Sequence, residues 1–257
     1  MIEKTEAIPL VWHEVSNTSR IVHWFTRGHG RVATMIKGAV RPKSPFHGQY
    51  DLHATSELLF YSRERDELHI AKECALLAPR LRLRGDWRAH VAASSLASIL
   101  LRCSPPLAAA PALFADFSIA LDALEKGLSP PLVQHWAELR LCAELGIQPR
   151  LAGACCGCDG PLGREDALGF SSPRGGLVCA RCLEEGDSGH KISGAAVALL
   201  RRLQQAASPE VLSSLRTNAG QDRELHVLLG RFLSYHLDFP QTARDIAWSA
   251  IAAANRA

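Results

Sequence analysis

The 257-residue sequence has no run of 18 apolar residues, so no helical membrane span is predicted. Its start, Met1-Ile2-Glu3-Lys4-Thr5-Glu6, puts acids where a secretory signal needs an apolar stretch. It lacks a G-x-x-x-x-G-K-[ST] phosphate loop, an H-E-x-x-H pair and a G-x-S-x-G elbow. Gly28-His29-Gly30-Arg31-Val32-Ala33 fits G-x-G-x-x-A by letters, but it falls in a hairpin connection, which excludes a dinucleotide role. No carboxylate pair and no nucleophile–base pair stands out. The eleven histidines are scattered, with no metal or triad spacing among His13, His23 and His29. These absences favour a binding protein over an enzyme.

One more absence is local. Between Val15 and Tyr50 there is no Asp or Glu, while Arg20, Arg27, Arg31, Lys37, Arg41 and Lys43 give that window +6. The whole chain has 29 Lys plus Arg against 26 Asp plus Glu, a net +3, so the remainder sums to −3. A second basic cluster, Arg80, Arg82, Arg84 and Arg88, is interrupted only by Asp86. Basic charge is thus concentrated in the first third of the chain, which is where an anionic partner is expected.

The chain changes character near residue 80. Before it, five short extended segments are predicted: Ile8 to Val15, Ile21 to Phe25, Arg31 to Ile36, Thr55 to Tyr61 and Leu68 to Cys74. Thr26 to Gly30 reads as a hairpin loop and Ser62 to Glu67 as a charged turn. Five strands in so short a span predict a closed barrel, which leaves no free edge. From Asp86, a plausible N-cap, the pattern is helical. Helices are predicted to open at Pro111, Pro131, Ser193, Ser208, Asp222 and Pro240, with stops at Gly127 and Gly146. The fold class is therefore α+β multidomain: a barrel over 1–80, helices over 81–152, a Gly- and Cys-rich segment over 153–189, and further helices over 190–257.

That segment holds five cysteines, of which Cys155, Cys158, Cys179 and Cys182 form two C-x2-C pairs with 20 residues between them. Four thiolates at this spacing can close a tetrahedral zinc site from two knuckles. The alternative is free or redox-paired thiols. Protein would fill all four positions, which implies one structural Zn2+ rather than a catalytic one. Cys156 competes with Cys155 for the register, and Asp159 stands where such knuckles usually carry Gly. Ala167 to Ser171 and Gly176 to Val178 read as a short hairpin, giving a ribbon. Cys74, Cys103 and Cys142 are isolated and read as small core residues. Thiols without export features fit a reducing, cytoplasmic compartment.

The six barrel cations interleave with Trp24, Phe25, Phe46 and Tyr50, a composition suited to single-stranded nucleic acid: cations follow phosphates and aromatics stack on bases. Against this, Trp24 and Phe25 are neighbours in a strand, so at least one must face the barrel interior.

Read in order, Glu6-Ala7-Ile8, Asn17-Thr18-Ser19-Arg20-Ile21-Val22, Phe25-Thr26, Gly30-Arg31 and Lys37-Gly38-Ala39-Val40-Arg41-Pro42-Lys43-Ser44 resemble the N-terminal signature of the RecO family of bacterial recombination mediators. The order of parts is also similar, and the resemblance covers essentially the whole chain. It implies an OB-fold followed by a helical domain interrupted by a zinc-finger-like segment. It further implies a non-enzymatic DNA-repair function: binding single- and double-stranded DNA, annealing complementary strands, contact with RecR and with the acidic tail of the single-strand-binding protein SSB, and help in loading RecA. Carried over by position, the DNA contacts are Arg20, Arg27, Arg31, Lys37, Arg41 and Lys43, with Arg80, Arg82 and Arg84 assigned to the same face. The metal ligands are Cys155, Cys158, Cys179 and Cys182. The other readings are a zinc-ribbon module of transcription or translation, and a zinc-dependent nucleic-acid enzyme such as a nuclease or deaminase. A deaminase needs an H/C-x-E element before its second pair, and this chain has none.

Overall fold

A computed structural model describes residues 1–62, 68–104, 106–162, 168–184 and 189–252. The turn predicted after Ser62 falls outside those residues. The chain forms two compact units, Met1–Gly127 and Leu128–Ala257.

In the first unit, β1 (Ile2–Glu14), β2 (Arg20–Thr26), β3 (Gly30–Ile36), β4 (Thr55–Tyr61) and β5 (Leu68–Ala78) close into a barrel in the order β1-β2-β3-β5-β4. The predicted five-stranded barrel is observed. β1 is longer than predicted: Ala7 to Glu14 pair with β2, while Ile2 to Ala7 pair with β4. Charged Glu3, Lys4 and Glu6 obscured its first half, and Lys4 forms a cross-strand ion pair with Glu57. A parallel pairing of Ala33–Met35 with Leu68–Ile70 completes the closure. β3 alternates as a half-buried strand must, with Val32, Thr34 and Ile36 buried.

Trp24 and Phe25 point to opposite sides of β2, and both are fully buried. Trp24 fills the barrel, its indole N–H donating to Thr34 Oγ1 at 2.9 Å. Phe25 lies outside it, against Phe114 and Phe117 at 6.1 and 6.4 Å between ring centroids. Those phenylalanines belong to α3 (Pro111–Glu125), which follows a single turn, α1 (Arg82–Gly85), and α2 (Trp87–Cys103). Asp86 caps α2 as predicted, accepting from the Arg88 and Ala89 N–H groups. The β2–β3 hairpin needs Gly30: its φ is +62°, and a Cβ there would collide with the Ala108 carbonyl.

The second unit begins with α4 (Pro130–Glu144). A ribbon follows, made of β6 (Leu168–Ser171), β7 (Gly176–Cys179), α5 (Ala180–Glu184) and β8 (His190–Ile192), with sheet order β7-β6-β8. Ala167, the predicted start of the hairpin, lies outside the described residues. β8 and α5 escaped prediction because they are short, and His190 and Lys191 are exposed and polar. Next come α6 (Gly194–Gln205), capped by Ser193, a 3-10 turn at Pro209–Leu212, α7 (Ala219–Leu237) and α8 (Gln241–Ala252). α7 starts earlier than the predicted Asp222. Asn218 and Gln221 form a capping box, and Asp222 is buried inside the first turn. Among the described residues no helix is long and apolar enough to cross a membrane.

Candidate metal centre and nucleic-acid interface

The ribbon gathers Cys155 and Cys158 on a tight turn, Cys179 at the end of β7 and Cys182 in α5. Their four Sγ atoms all lie within 4.8 Å of one another, and Cys158 and Cys179 sulfurs are 3.9 Å apart. Metal–sulfur bonds of ~2.3 Å in a tetrahedron separate sulfurs by roughly 3.8 Å. The donor set therefore fits a four-coordinate soft ion with no position left open for water. The turn is built for it. Gly157 and Cys179 N–H groups donate to Cys155 Sγ at 3.3 and 3.2 Å, and the Asp159 N–H closes back on the Cys155 carbonyl at 2.9 Å. Asp159 adopts φ +55°, the left-handed region that Asp tolerates better than most residues, which explains how it replaces the usual Gly. A Cβ on Gly157 would sit 2.9 Å from Cys182 Sγ, so glycine keeps the cradle open.

Cys156 stands outside the four-sulfur set, and its N–H is committed to the Leu177 carbonyl at 2.8 Å. Burial resists ionisation of Cys155, but the N–H groups of Cys179, Gly157 and Cys158 outweigh it and hold the thiol down at about 6. At Cys182, burial first and then the neighbouring sulfurs push the thiol up to about 12. Of the isolated cysteines, Cys142 is buried, whereas Cys74 and Cys103 are only partly so. Cys74 donates to the Gln49 carbonyl at 3.1 Å, and burial raises its thiol to about 11.

The basic residues of the barrel fall at two ends rather than on one face. Arg20 pairs in register with Ile36 and Glu14, so it shares one end with Lys37, Arg41 and Lys43. Arg27 and Arg31 flank the opposite hairpin, where Thr26 pairs with Gly30. At that hairpin end the cations are engaged. Arg27 bridges to Glu6 at 2.7 Å and lies over the Phe114 ring, and Arg31 donates to the Leu101 carbonyl at 2.5 Å. At the other end Arg20 is held over the Trp12 ring at 3.9 Å and near Glu14 at 3.4 Å. Lys37, Arg41 and Lys43 are exposed and make no ion pair among the described residues. Their segment, 37–54, seals the barrel: Ala39, Phe46 and Tyr50 enter the core, and Val40 N–H donates to the Thr18 carbonyl at 3.3 Å.

Two expectations need correction. Arg80 is not a surface cation. It is 5% exposed, donates to Asp122, the His53 carbonyl, Thr55 and Ser118 at 2.8–2.9 Å, and holds the barrel to α3. A guanidinium so enclosed cannot meet a phosphate. The proposed stacking aromatics Trp24, Phe25, Phe46 and Tyr50 are all buried, because the outside of β2 is covered by α3 and the 37–54 segment turns inward. Arg82 and Arg84 are exposed; Arg84 pairs with Asp51, and Arg82 lies 3.9 Å from Asp86. Glu6 and Glu14 lie outside the acid-free window in sequence, and the pairing of β1 with β2 brings them to Arg27 and Arg20 within it, while Asp51 reaches Arg84 beyond it.

The fold and its sites define an OB-like barrel joined to a helical unit that carries a four-cysteine ribbon. The chain belongs to the RecO family: the model for the N terminus of recombination protein O matches residues 1–80, and that for its C terminus matches residues 84–245. Relatives named DNA repair protein RecO include one from Exiguobacterium sibiricum, 30% identical over 193 residues, covering 75% of this chain and 74% of the relative. Another, from Desulfitobacterium hafniense, is 28% identical over 236 residues, 91% of this chain and 84% of its own. A third, from Halalkalibacterium halodurans, is 25% identical over 246 residues, 91% and 94% of the two chains.

Proposed function

We propose that this chain is a non-enzymatic recombination mediator that works in the cytoplasm on DNA. It binds single and double strands, anneals complementary strands and, with RecR, helps load RecA on DNA coated by SSB. The observation that carries the reading is the exposed, unpaired trio Lys37, Arg41 and Lys43 on the segment that seals the barrel. A shared cationic surface lowers the repulsion between two phosphate backbones, which is what annealing requires. The four-sulfur cradle holds one Zn2+ per chain in a structural role, supported by the donor set and the sulfur spacing. The acidic, apolar-ended tail of SSB calls for an apolar groove with a basic rim. A groove of about 330 Å3 beside α7, lined by Phe170, Val227 and Leu228 with Lys191, Arg223 and Arg231 and one acid, Glu224, which accepts from Ser193, is the candidate with an apolar lining and a net basic charge.

The test is annealing of SSB-coated complementary strands by wild type and by the R41A/K43A double variant. Each lost phosphate contact lowers the slope of log K against log salt by ~0.7 on a single strand, so the double variant should bind more weakly with a slope reduced by about 1.4. Equal annealing and an unchanged slope would overturn the assignment. Annealing without ATP or added metal separates this reading from a zinc-dependent enzyme and from a ribbon module that only binds.

A further inference from the structure

We propose that Trp87 is a base-stacking platform for single-stranded nucleic acid, set at the margin of the cationic surface on segment 37–54. The proposal rests on the DNA-binding reading above and adds the part that surface lacks. Every Phe, Trp and Tyr within the basic window is buried, so its exposed cations can follow phosphates but have none of these larger rings beside them to stack on a base. Trp87 is 53% exposed, whereas Trp24 and Trp136 are fully buried. Leaving an indole in water forfeits the free energy its burial would bring, and Trp87 is exposed together with Leu77 and Leu81, an apolar group beside three guanidiniums.

Its placement suits a base. Trp87 is the first residue of α2, directly after the cap, and Asp86 holds that turn through the Arg88 and Ala89 N–H groups. The ring is thus presented by an ordered helix start. The Arg88 guanidinium carbon lies 5.3 Å from the ring centroid. An arginine stacked on an indole strengthens an aromatic platform for nucleic acid, because the cation also attracts phosphate. Arg82 and Arg84 are exposed within five residues of the indole. Arg84 pairs with Asp51, at the far end of the segment that carries Lys37, Arg41 and Lys43, which ties the turn before the indole to that segment. Exposed Leu77 and Leu81 precede this cluster, and a protein partner would use the same apolar surface. The three flanking guanidiniums favour a nucleic acid.

The test compares W87A and W87F with wild type on labelled oligo(dT) and on an abasic strand of equal phosphate count. A lost base stack should weaken W87A on oligo(dT) by roughly 5- to 150-fold. W87F should keep most of the affinity, the abasic strand should bind all three proteins alike, and the salt slope should not move. Wild-type tryptophan fluorescence should be quenched by oligo(dT) in a component that W87F lacks. Unchanged affinity of W87A overturns the proposal, as would an equal loss on the abasic strand or a mutant that loses affinity only for a protein partner. If R41A/K43A weakens binding while W87A does not, only this proposal falls. If wild type does not bind oligo(dT), the DNA-binding reading falls with it.

Discussion

The second unit gathers ionisable groups at two places, one fully buried and one half-buried, and they balance charge in opposite ways. Glu138 and Arg244 are both completely buried. Arg244 Nε and Nη2 each donate to a Glu138 oxygen at 2.8 Å, while Nη1 donates to the His226 carbonyl at 2.7 Å. Burial alone would raise the Glu138 carboxyl, but the Arg244 charge outweighs it and holds it at about 2. The cation is supplied by the chain, and the cluster is a strut between α4, α7 and α8. In the ribbon, four sulfurs converge, and at Cys182 burial first and then the neighbouring sulfurs raise the thiol. Their balancing charge has to come from outside the set. A cluster that supplies its own counter-charge is structure, whereas four converging thiols are compatible with an ion.

The strongest way to break this comparison is to remove the ion. Structural zinc in small domains contributes on the order of 10–16 kcal/mol of apparent binding free energy. Chelation, or C158A/C182A, should release one metal per chain and strip amide-exchange protection from β6 and β7. The Glu138–Arg244 helices should keep theirs. If the chelated protein holds full protection across residues 168–182, the sulfurs do not depend on an external charge.

Next in size is the strut. R244M strands a buried carboxylate and should cost about 3–5 kcal/mol in urea unfolding, whereas the paired replacement E138L/R244M should recover most of it. Gly230 shows how closely the strut is fitted, since a Cβ there would meet the Arg244 guanidinium and Gln241. A double variant as unstable as the single one would mean that the pair does more than neutralise itself.

Protonation probes the same strut more gently. His226 stacks on Trp248 at 4.3 Å between centroids, and its Nε2 lies 2.9 Å from Asp245. Burial, and then the Arg244 charge, lower it from 6.5 to about 4. The unfolded chain therefore takes up this proton first as pH falls. The stability it contributes is complete above pH 6.5 and is lost progressively toward pH 4, by up to roughly 3 kcal/mol. H226Q should remove about one proton from the pH slope of unfolding in that window. His53, lowered to about 3 in the first unit, leaves a remaining slope of the same sign. An unaltered slope in H226Q would show that His226 is not neutral in the fold.

The two places also differ in how far the sequence reveals them. The four cysteines obey a spacing rule because each pair is made by one short turn, and local geometry is written in adjacent residues. The same locality made the five strands and most helix caps readable. Glu138 and Arg244 are 106 residues apart, and each looks like an ordinary polar helix position until the helices meet. Arg80 and Arg41 are equally indistinct in sequence. One closes a buried junction and the other faces solvent, a difference set by Asp122 and Ser118 on a distant helix. Acid-free windows mislead for a related reason: Glu6 and Glu14 lie outside the window but reach Arg27 and Arg20 through the fold.

The smallest expected effect bears on the register of the cysteine pair. Cys155 and Cys156 are adjacent, and the spacing rule prefers Cys155 without excluding its neighbour. The backbone decides between them. The Cys155 sulfur accepts the Gly157 and Cys179 N–H groups, the pattern that orients a thiolate toward a shared centre. The Cys156 N–H is tied to the Leu177 carbonyl, and its sulfur lies outside the set. C156S should therefore keep full metal content and change stability by less than about 1 kcal/mol. C155S should lose the metal, since Ser cannot supply a thiolate. Metal loss in C156S with retention in C155S would reverse the register and place the external charge one residue further along the turn.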